Sequence, residues 1–487
     1  MQRWIRLGVL FIASASALAL VSWDRVLGPS AHFHFLDLAN SFLHGRLDTD
    51  TPKRTRGMRP RPDDPRGLQA AVDRHLTGPD GKSVGFNDWA SIHVITLADG
   101  TVVKGVFPWS DSQTDERNRF RALDGTERVI DRNLDIRKGC GSPGGLCDET
   151  KYYVSFPPFP AVVLMPLFLA FGYDTNDVLF TILNAAANTV LLFLLLEALR
   201  VRGLSARSPR ENLVLALLFT FGTVNFFSAI RGEVWFTALI LGVTLNLWFI
   251  WASLEARHPF WAGVALACAM ATRTPLAFAF VFFGLEMLRD GERLRWPGFA
   301  VVLRKGVAFA IPVFAAGAAL MAYNYARFES FTEFGHTYLA GGTRPSIREH
   351  GLFSFWFLRN NLAAAITNPP VLDGFPPYIH ITRHGLSLFF CTPALLYVFW
   401  PRGVSAFARN AAIAAAAVAV PSLFYQNTGW AQFGYRFALD YLPFLFVLLA
   451  VGGRRFTKVF WAAMVLSFAM NLLGAVTFDR MPQFYYD

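Results

Sequence analysis

Charge is scarce in this chain of 487 residues: Asp, Glu, Lys and Arg make up only 16% of it, where a soluble globular protein carries about 25%. No Walker loop and no Rossmann fingerprint occurs, so the commonest nucleotide-binding sequences are missing. There is no internal repeat and no low-complexity tract. Nor is there a basic–aromatic stripe of a nucleic-acid module, so the net charge of +10 does not point to a nucleic-acid partner. Cysteine is rare, at four residues. What is plentiful is apolar: 53% of the chain is hydrophobic, with 48 Phe, and the mean hydropathy is +0.34. Repeated apolar runs of roughly 17–25 residues read as an all-α polytopic membrane protein.

The runs lie near 1–23, 178–199, 211–230, 234–254, 258–272, 275–288, 306–323, 386–400, 411–426, 437–452 and 457–477, about eleven transmembrane helices. The first, with Arg3 and Arg6 ahead of it, has a cleaved signal peptide as its rival. It is long for a signal and is read as a retained helix; both readings export the segment that begins at residue 24. Arg200, Arg202, Arg207 and Arg210 form one basic cluster, and Arg289, Arg293, Arg295, Arg304 and Lys305 another. Arg402 with Arg409, and Arg454, Arg455 with Lys458, complete the set. Excess Lys and Arg in short loops marks the cytoplasmic side. These clusters agree with Arg3 and Arg6 only if 24–177 stays outside.

The segment "SFPPFPAVVLMPLFLAFGYDTND", residues 155–177, decides that arrangement. Were 159–172 to cross the bilayer, every later basic cluster would move to the outer face. Its four prolines and terminal Gly172 favour a helix lying along the outer leaflet, with a short span as the alternative. The expected organisation is therefore a first helix (1–23), an outer loop (24–177) holding an insertion (51–150), and helices over 178–323. A second outer loop (324–385) and C-terminal helices (386–487) complete it. Inside the insertion, "SIHVITLADGTVVKGVF" alternates apolar and polar residues about "ADG" and reads as a small hairpin. Cys140 and Cys147, in "CGSPGGLC", are expected to pair as a disulfide in an oxidising compartment. A metal site is the alternative there. Cys268 and Cys391 lie in apolar runs and read as packing residues.

Ionisable residues at membrane-helix ends are functional candidates. Arg231 and Glu233 sit at one outer turn, Arg273 interrupts "ALACAMATRTPLAFAF", and Arg436 with Asp440 marks a third turn. Arg327 lies in "YNYARFESFTEFGHTY". Arginines converging on one boundary suit a phosphate, because the guanidinium fork matches its oxygens. The plainer reading is snorkelling, or pairing such as Arg231 with Glu233. After the first helix, "SAHFHFLDLANSFLHGRLDTD" gathers His32, His34, Asp37, His44, Asp48 and Asp50. A helix puts Asp37 one turn from His34, and a base there would deprotonate an acceptor hydroxyl. Asp48 and Asp50 form a D-x-D able to hold a divalent cation, though a lone D-x-D is a weak signal and solvated loop carboxylates are its commoner explanation. The histidines lack zinc spacing.

Together "HFLDLANSFLHGRLD", "SFPPFPAVVLMPLFLAFG", "RGEVWF", "ATRTP", "YNYARFESFTEFG" and "FGYRFALDYLPFL" occur in an order that resembles the GT-C superfamily of integral-membrane glycosyltransferases. The likeness is to the aminoarabinose-transferase-like and dolichyl-phosphate-mannose-protein-mannosyltransferase-like group, and it covers nearly the whole chain apart from 51–150. It implies a polyprenyl-phosphate sugar donor, inverting transfer of a hexose or pentose, and a lipid, glycan or protein acceptor in the cell envelope. It also implies a bacterial inner (plasma) membrane location, with the site facing the periplasm or exterior, and interfacial helices in the first outer loop. The group's loop carboxylate usually belongs to a D-E pair opening a pattern that ends in "LLEGR". Aligned on Gly45-Arg46, that pair falls on Ala31 and His32, so Asp37, with His34 in reserve, becomes the candidate base. Arg273, Arg436, Arg231 and Arg327 become candidate donor-phosphate ligands. No cofactor is implied with certainty; a divalent cation at Asp48 and Asp50 is the one candidate. The rivals are a non-catalytic envelope-polysaccharide assembly factor and a lipid or sugar transporter. A transporter commonly shows paired halves with broken helices at midplane, and no such pairing is visible.

Overall fold

The computed structural model describes residues 2–30, 32, 34–49, 89–107, 118–141, 145–339 and 345–485. Eight helices carry the argument: α1 (Gln2–Val21), α2 (His34–Leu43), α3 (Phe159–Phe171), α4 (Asp177–Val201), α5 (Glu233–Ser253), α6 (Phe299–Phe328), α7 (Ala406–Phe424) and α8 (Lys458–Thr477). The chain divides into two compact units, 1–30 with 174–316 and 353–487, and 31–173 with 317–352. The division at 316/317 falls inside α6. Residues 353–385 of the expected second outer loop belong to the helical unit.

Among the described residues, six helices are long and apolar enough to cross a membrane: Trp4–Val21, Asp177–Val201, Glu233–Ala256, Phe299–Phe328, Ala406–Phe424 and Lys458–Thr477. Six of the eleven expected spans are therefore present at full length. The other five expected spans are short or broken, and the breaks have visible causes. The 211–230 run divides at Gly222 into Pro209–Phe221 and Asn225–Ala229. The 258–272 and 275–288 runs become Pro259–Met270 and a 3-10 turn (Thr274–Ala279) leading into Phe280–Leu288. The 386–400 run is a single turn, Leu388–Cys391, then a 3-10 stretch from Pro393. The 437–452 run opens as a 3-10 turn, Arg436–Asp440, before Leu442–Val451. Pro209, Pro259, Pro275, Pro393 and Pro443 each stand at the first or second position of a segment. There a missing N–H costs nothing, whereas within a run it would break the ladder.

Local chemistry fixes the long helices. The Asn176 side chain accepts from Leu179 N at 2.8 Å and starts α4, and Ser405 caps α7 through Ala408 N. Ser208 and Glu211 form a capping box ahead of Pro209–Phe221. The polar residues inside the unit are paired across helices: Thr181 with Thr237 Oγ1 at 2.8 Å, Asn188 with Ile240 O at 3.0 Å, and Asn471 with Cys391 O at 2.7 Å. Such groups must be satisfied internally where no water reaches them. On its outward side α6 bares Val307, Ile311 and Phe314, which suits lipid as solvent.

The second unit holds a five-stranded antiparallel sheet: β1 (Trp89–Thr96), β2 (Val102–Val106), β3 (Arg119–Ala122), β4 (Glu127–Val129) and β5 (Asp148–Val154), in the order β4-β3-β2-β1-β5. The expected hairpin is β1–β2, with His93 opposite Gly105 and Thr96 opposite Val102. Gly100, at φ 89°, makes the turn. One face buries Ile95, Val103, Phe107, Phe120, Ile130 and Ile136. The other buries Ala90, Ile92, Val106 and Tyr153 against Phe328 and Leu339. The expected Cys140–Cys147 disulfide is present, with Cα atoms 5.0 Å apart. In the same unit α3 buries Pro160, Ala161, Leu164 and Phe168 and exposes Val162, Leu169 and Phe171. Its 13 residues extend about 20 Å at 1.5 Å each, short of a hydrocarbon core of about 30 Å.

Candidate active site

In the helical unit, three of the four arginines chosen from the sequence stand in one row. Their guanidinium carbons share two phenylalanine rings. Arg231 Cζ lies 5.0 Å from the centre of Phe236 and Arg436 Cζ 5.2 Å from the same ring. Arg436 Cζ is also 5.8 Å from Phe437, and Arg273 Cζ is 5.5 Å from it. Aromatic faces carry negative potential, so each ring holds two like charges in reach of one another.

Arg231 is buried. Its Nη2 donates to Glu233 Oε1 at 2.8 Å and Asp479 Oδ2 at 3.0 Å, and Phe478 covers its other side at 4.7 Å. Its Nε and Nη1 are buried and have no hydrogen-bond partner among the described residues. Buried donors are nearly always satisfied, so these two are available to an anion or water. Burial works against the cation, yet Glu233 and Asp479 outweigh it and hold Arg231 above its ordinary pKa.

The carboxylates around Arg231 sit on unusual backbone. Glu233 has φ 67° and Asp479 φ 58°, both left-handed, and Gly232 between Arg231 and Glu233 has φ 65°. Non-glycine residues in that region cost of order 1–3 kcal/mol each and collect at functional sites. Gly232 has no room for a side chain either: a Cβ would meet Val178 N at 2.9 Å and Asp177 Oδ2 at 3.0 Å. Asp177 accepts from Glu233 N at 2.9 Å and from Ser30 N and Oγ at 2.7 and 2.6 Å. It thereby fixes the turn that carries Arg231.

Two further cations complete this end of the unit. Arg25 donates to Phe478 O at 3.0 Å; burial, with Arg231 and Arg480 nearby, pushes its pKa down to about 10. Arg480 pairs with Asp24 and covers the Trp23 ring at 4.1 Å. Neither is among the residues expected from the sequence, although the sequence carries a signal for both. Asp24-Arg25 and Asp479-Arg480 each lie just beyond a full-length apolar helix, α1 and α8.

Arg273 has a partner within the chain that the sequence does not reveal: Nε and Nη2 grip Asp440 Oδ1 and Oδ2 at 2.6 and 2.7 Å, and Asp440 is 1% exposed. The pair is bidentate and buried. Arg436, also buried, donates its backbone N–H to Gln432 Oε1 at 3.0 Å and its Nη1 to Ala431 O at 3.3 Å. Gln432 in turn donates to His384 O at 2.8 Å and Thr428 O at 2.7 Å. Ala431 is another left-handed residue, at φ 59°.

The remaining candidates belong to the second unit. Arg327 gives Nη1 to Val154 O at 2.8 Å and Nη2 to Asn324 Oδ1 at 2.9 Å, with its guanidinium carbon 3.7 Å from the centre of the Tyr323 ring. Its donors order the end of β5. Asp37 is 2% exposed and accepts from the Tyr173 hydroxyl at 3.2 Å. His34, one turn earlier on α2, is fully buried. It stacks on Trp89 at 3.8 Å and meets the edge of Phe156 at 5.9 Å. His32 stacks 6.1 Å from His34, and His44 Nδ1 is 2.8 Å from Asn40 O. The Asp37 side chain is thus enclosed, although it lies in a stretch that also carries polar residues. Of the D-x-D pair, Asp50 is outside the described residues; the backbone O of Asp48 accepts from Ser41 Oγ at 2.8 Å. Among the described residues no group of three or more His, Cys, Asp or Glu is arranged to hold a metal.

No family model matches the chain, and a search of curated proteins finds no match. A search of solved structures finds the oligosaccharyltransferase of Archaeoglobus fulgidus in its apo form. The match has a TM-score of 0.34 and 11% identity over 67% of this chain, and spans 48% of that protein. No residue role is carried over from so distant a likeness.

Proposed function

We propose that this polytopic membrane protein is a glycosyltransferase that moves a hexose or pentose from a polyprenyl-phosphate carrier to an envelope acceptor on the extracytoplasmic face. The reading rests on the ordered motifs of the sequence and on one structural observation, the row of Arg231, Arg436 and Arg273 around Phe236 and Phe437. A lipid-phosphate leaving group gains negative charge as the glycosidic bond breaks. Cations already fixed in a dry site stabilise it without reorganising. Arg231 brings two uncommitted donors and Arg436 a second buried guanidinium. Arg273 closes the row and acts partly through Asp440. Arg327, with its donors on Val154 and Asn324, is a reserve ligand.

Asp37 is assigned as the base that takes the proton of the acceptor hydroxyl, and His34 as the alternative. The sugar, the polyprenol and the acceptor (lipid, glycan or protein) belong to this proposal, as does any divalent cation. A bacterial inner-membrane location with a periplasmic site is part of it too. Incubating purified protein with a panel of polyprenyl-phosphate sugars tests it. Release of polyprenyl phosphate, dependent on Arg436, is the expected result. A full panel without release, from protein that binds the donors, would favour the non-catalytic assembly factor.

A further inference from the structure

The opposite end of α8 carries a different site. Arg402, Arg454, Arg455 and Thr457 line a cleft of about 440 Å³. Two loops form it. Arg402 N donates to Gly452 O at 2.8 Å, and Arg454 Nη1 donates to Trp400 O at 3.2 Å, which holds 400–402 beside 452–454. Its far wall is fixed by the Tyr397 hydroxyl, 2.5 Å from Thr457 Oγ1, and by Phe460 packed edge-on at 4.9 Å from the Tyr397 ring.

Three arginines thus line one space, and none of the described residues lining it is acidic. Among the described residues, none of the three makes a salt bridge to a carboxylate, although Arg200, Arg207, Arg231, Arg273 and Arg289 all do. The three are exposed, so water and salt screen them from one another; a phosphate would still find several donors in one cleft, and arginine's fork fits its oxygens best. The surroundings say what carries the phosphate. Phe399, Trp400 and Val404 beside Arg402 are exposed, as are Val459, Trp461, Val465 and Leu466 on α8. Aromatic residues at such a place mark the membrane–water interface, and an exposed apolar helix face offers a seat for acyl chains. Basic clefts between transmembrane helices bind anionic headgroups by the same physics.

We propose that this cleft binds the phosphate of an anionic phospholipid, with the acyl chains along the exposed face of α8. The 20 residues of α8 put it about 30 Å from the Arg231–Asp479 cluster, one hydrocarbon thickness away. The site is therefore separate from the proposed catalytic arginines and does not depend on their assignment.

Native mass spectrometry of the delipidated full-length protein, titrated with phosphatidylglycerol, phosphatidylcholine or glycerol 1-phosphate, tests it. Wild type should retain phosphatidylglycerol at least tenfold more tightly than phosphatidylcholine. Arg402→Gln/Arg454→Gln/Arg455→Gln should lose that preference, and Arg409→Gln, an arginine outside the cleft, should keep it. Unchanged phosphatidylglycerol affinity in the triple variant overturns the proposal. So does glycerol 1-phosphate binding as tightly as the lipid, which would make the ligand a free phosphate ester. Should the triple variant not fold, Arg455→Gln alone carries the test: a loss of about threefold or more supports the cleft, and wild-type retention rejects it.

Discussion

Arg231 and Arg273 show what a single charge needs when a membrane helix ends on it. The Arg231–Glu233 pair is legible in the sequence because the partners are two residues apart. The Asp479 and Asp440 contacts are not, since they join positions 248 and 167 residues apart, and no local pattern encodes such distances. Asp440 changes what mutation of Arg273 should do. Arg273→Ala leaves a buried carboxylate alone, so it should cost about 3–5 kcal/mol of stability and lower the yield of folded protein. Arg273→Ala/Asp440→Asn should recover much of that loss in thermal unfolding, while Arg436→Ala should cost activity with far less effect on yield. His336, between Phe156 and Phe334, has a pKa pushed down to about 4 by burial and by Arg327. The unfolded chain binds a proton near pH 6.5 that the folded one refuses, so its stabilising contribution is present above pH 6.5 and is lost as pH falls towards 4. Thermal unfolding in detergent should show that acid loss in wild type and a smaller one in His336→Gln.

At the scale of elements, the sequence is most readable where period and turn chemistry agree. The "ADG" hairpin becomes β1–β2 because alternation and a positive-φ glycine point to the same register. The apolar runs read too generously, since hydropathy does not register a break at Gly222 or a 3-10 turn over Arg436–Asp440. Those breaks set Arg436, Asp440 and the Arg231 turn between helices, where side chains can converge. Gly232 tests this. Gly232→Ala would strain a left-handed residue and drive a methyl onto Val178 N and Asp177. It should melt several degrees below wild type, and donor turnover should fall with it because Arg231 and Glu233 share the turn. Wild-type melting and turnover would show that the close approach does not matter.

For the whole molecule, six full-length apolar helices establish a membrane protein, and orientation rests on the basic clusters. Thiol labelling from either side of sealed vesicles, in a Cys268→Ala background, should find Arg128→Cys and Arg210→Cys on opposite faces, with Arg128→Cys outside. Both on one face would undo the orientation. The central claim is that sugar transfer from a lipid phosphate needs an enclosed carboxylate on α2, and Asp37→Asn addresses it most directly. The substitution keeps shape and removes the base, so it should leave polyprenyl-phosphate-sugar binding intact while cutting single-turnover transfer by roughly a hundredfold or more. Near-normal transfer in Asp37→Asn would contradict the assignment. If His34→Ala were then inactive, the base would be His34.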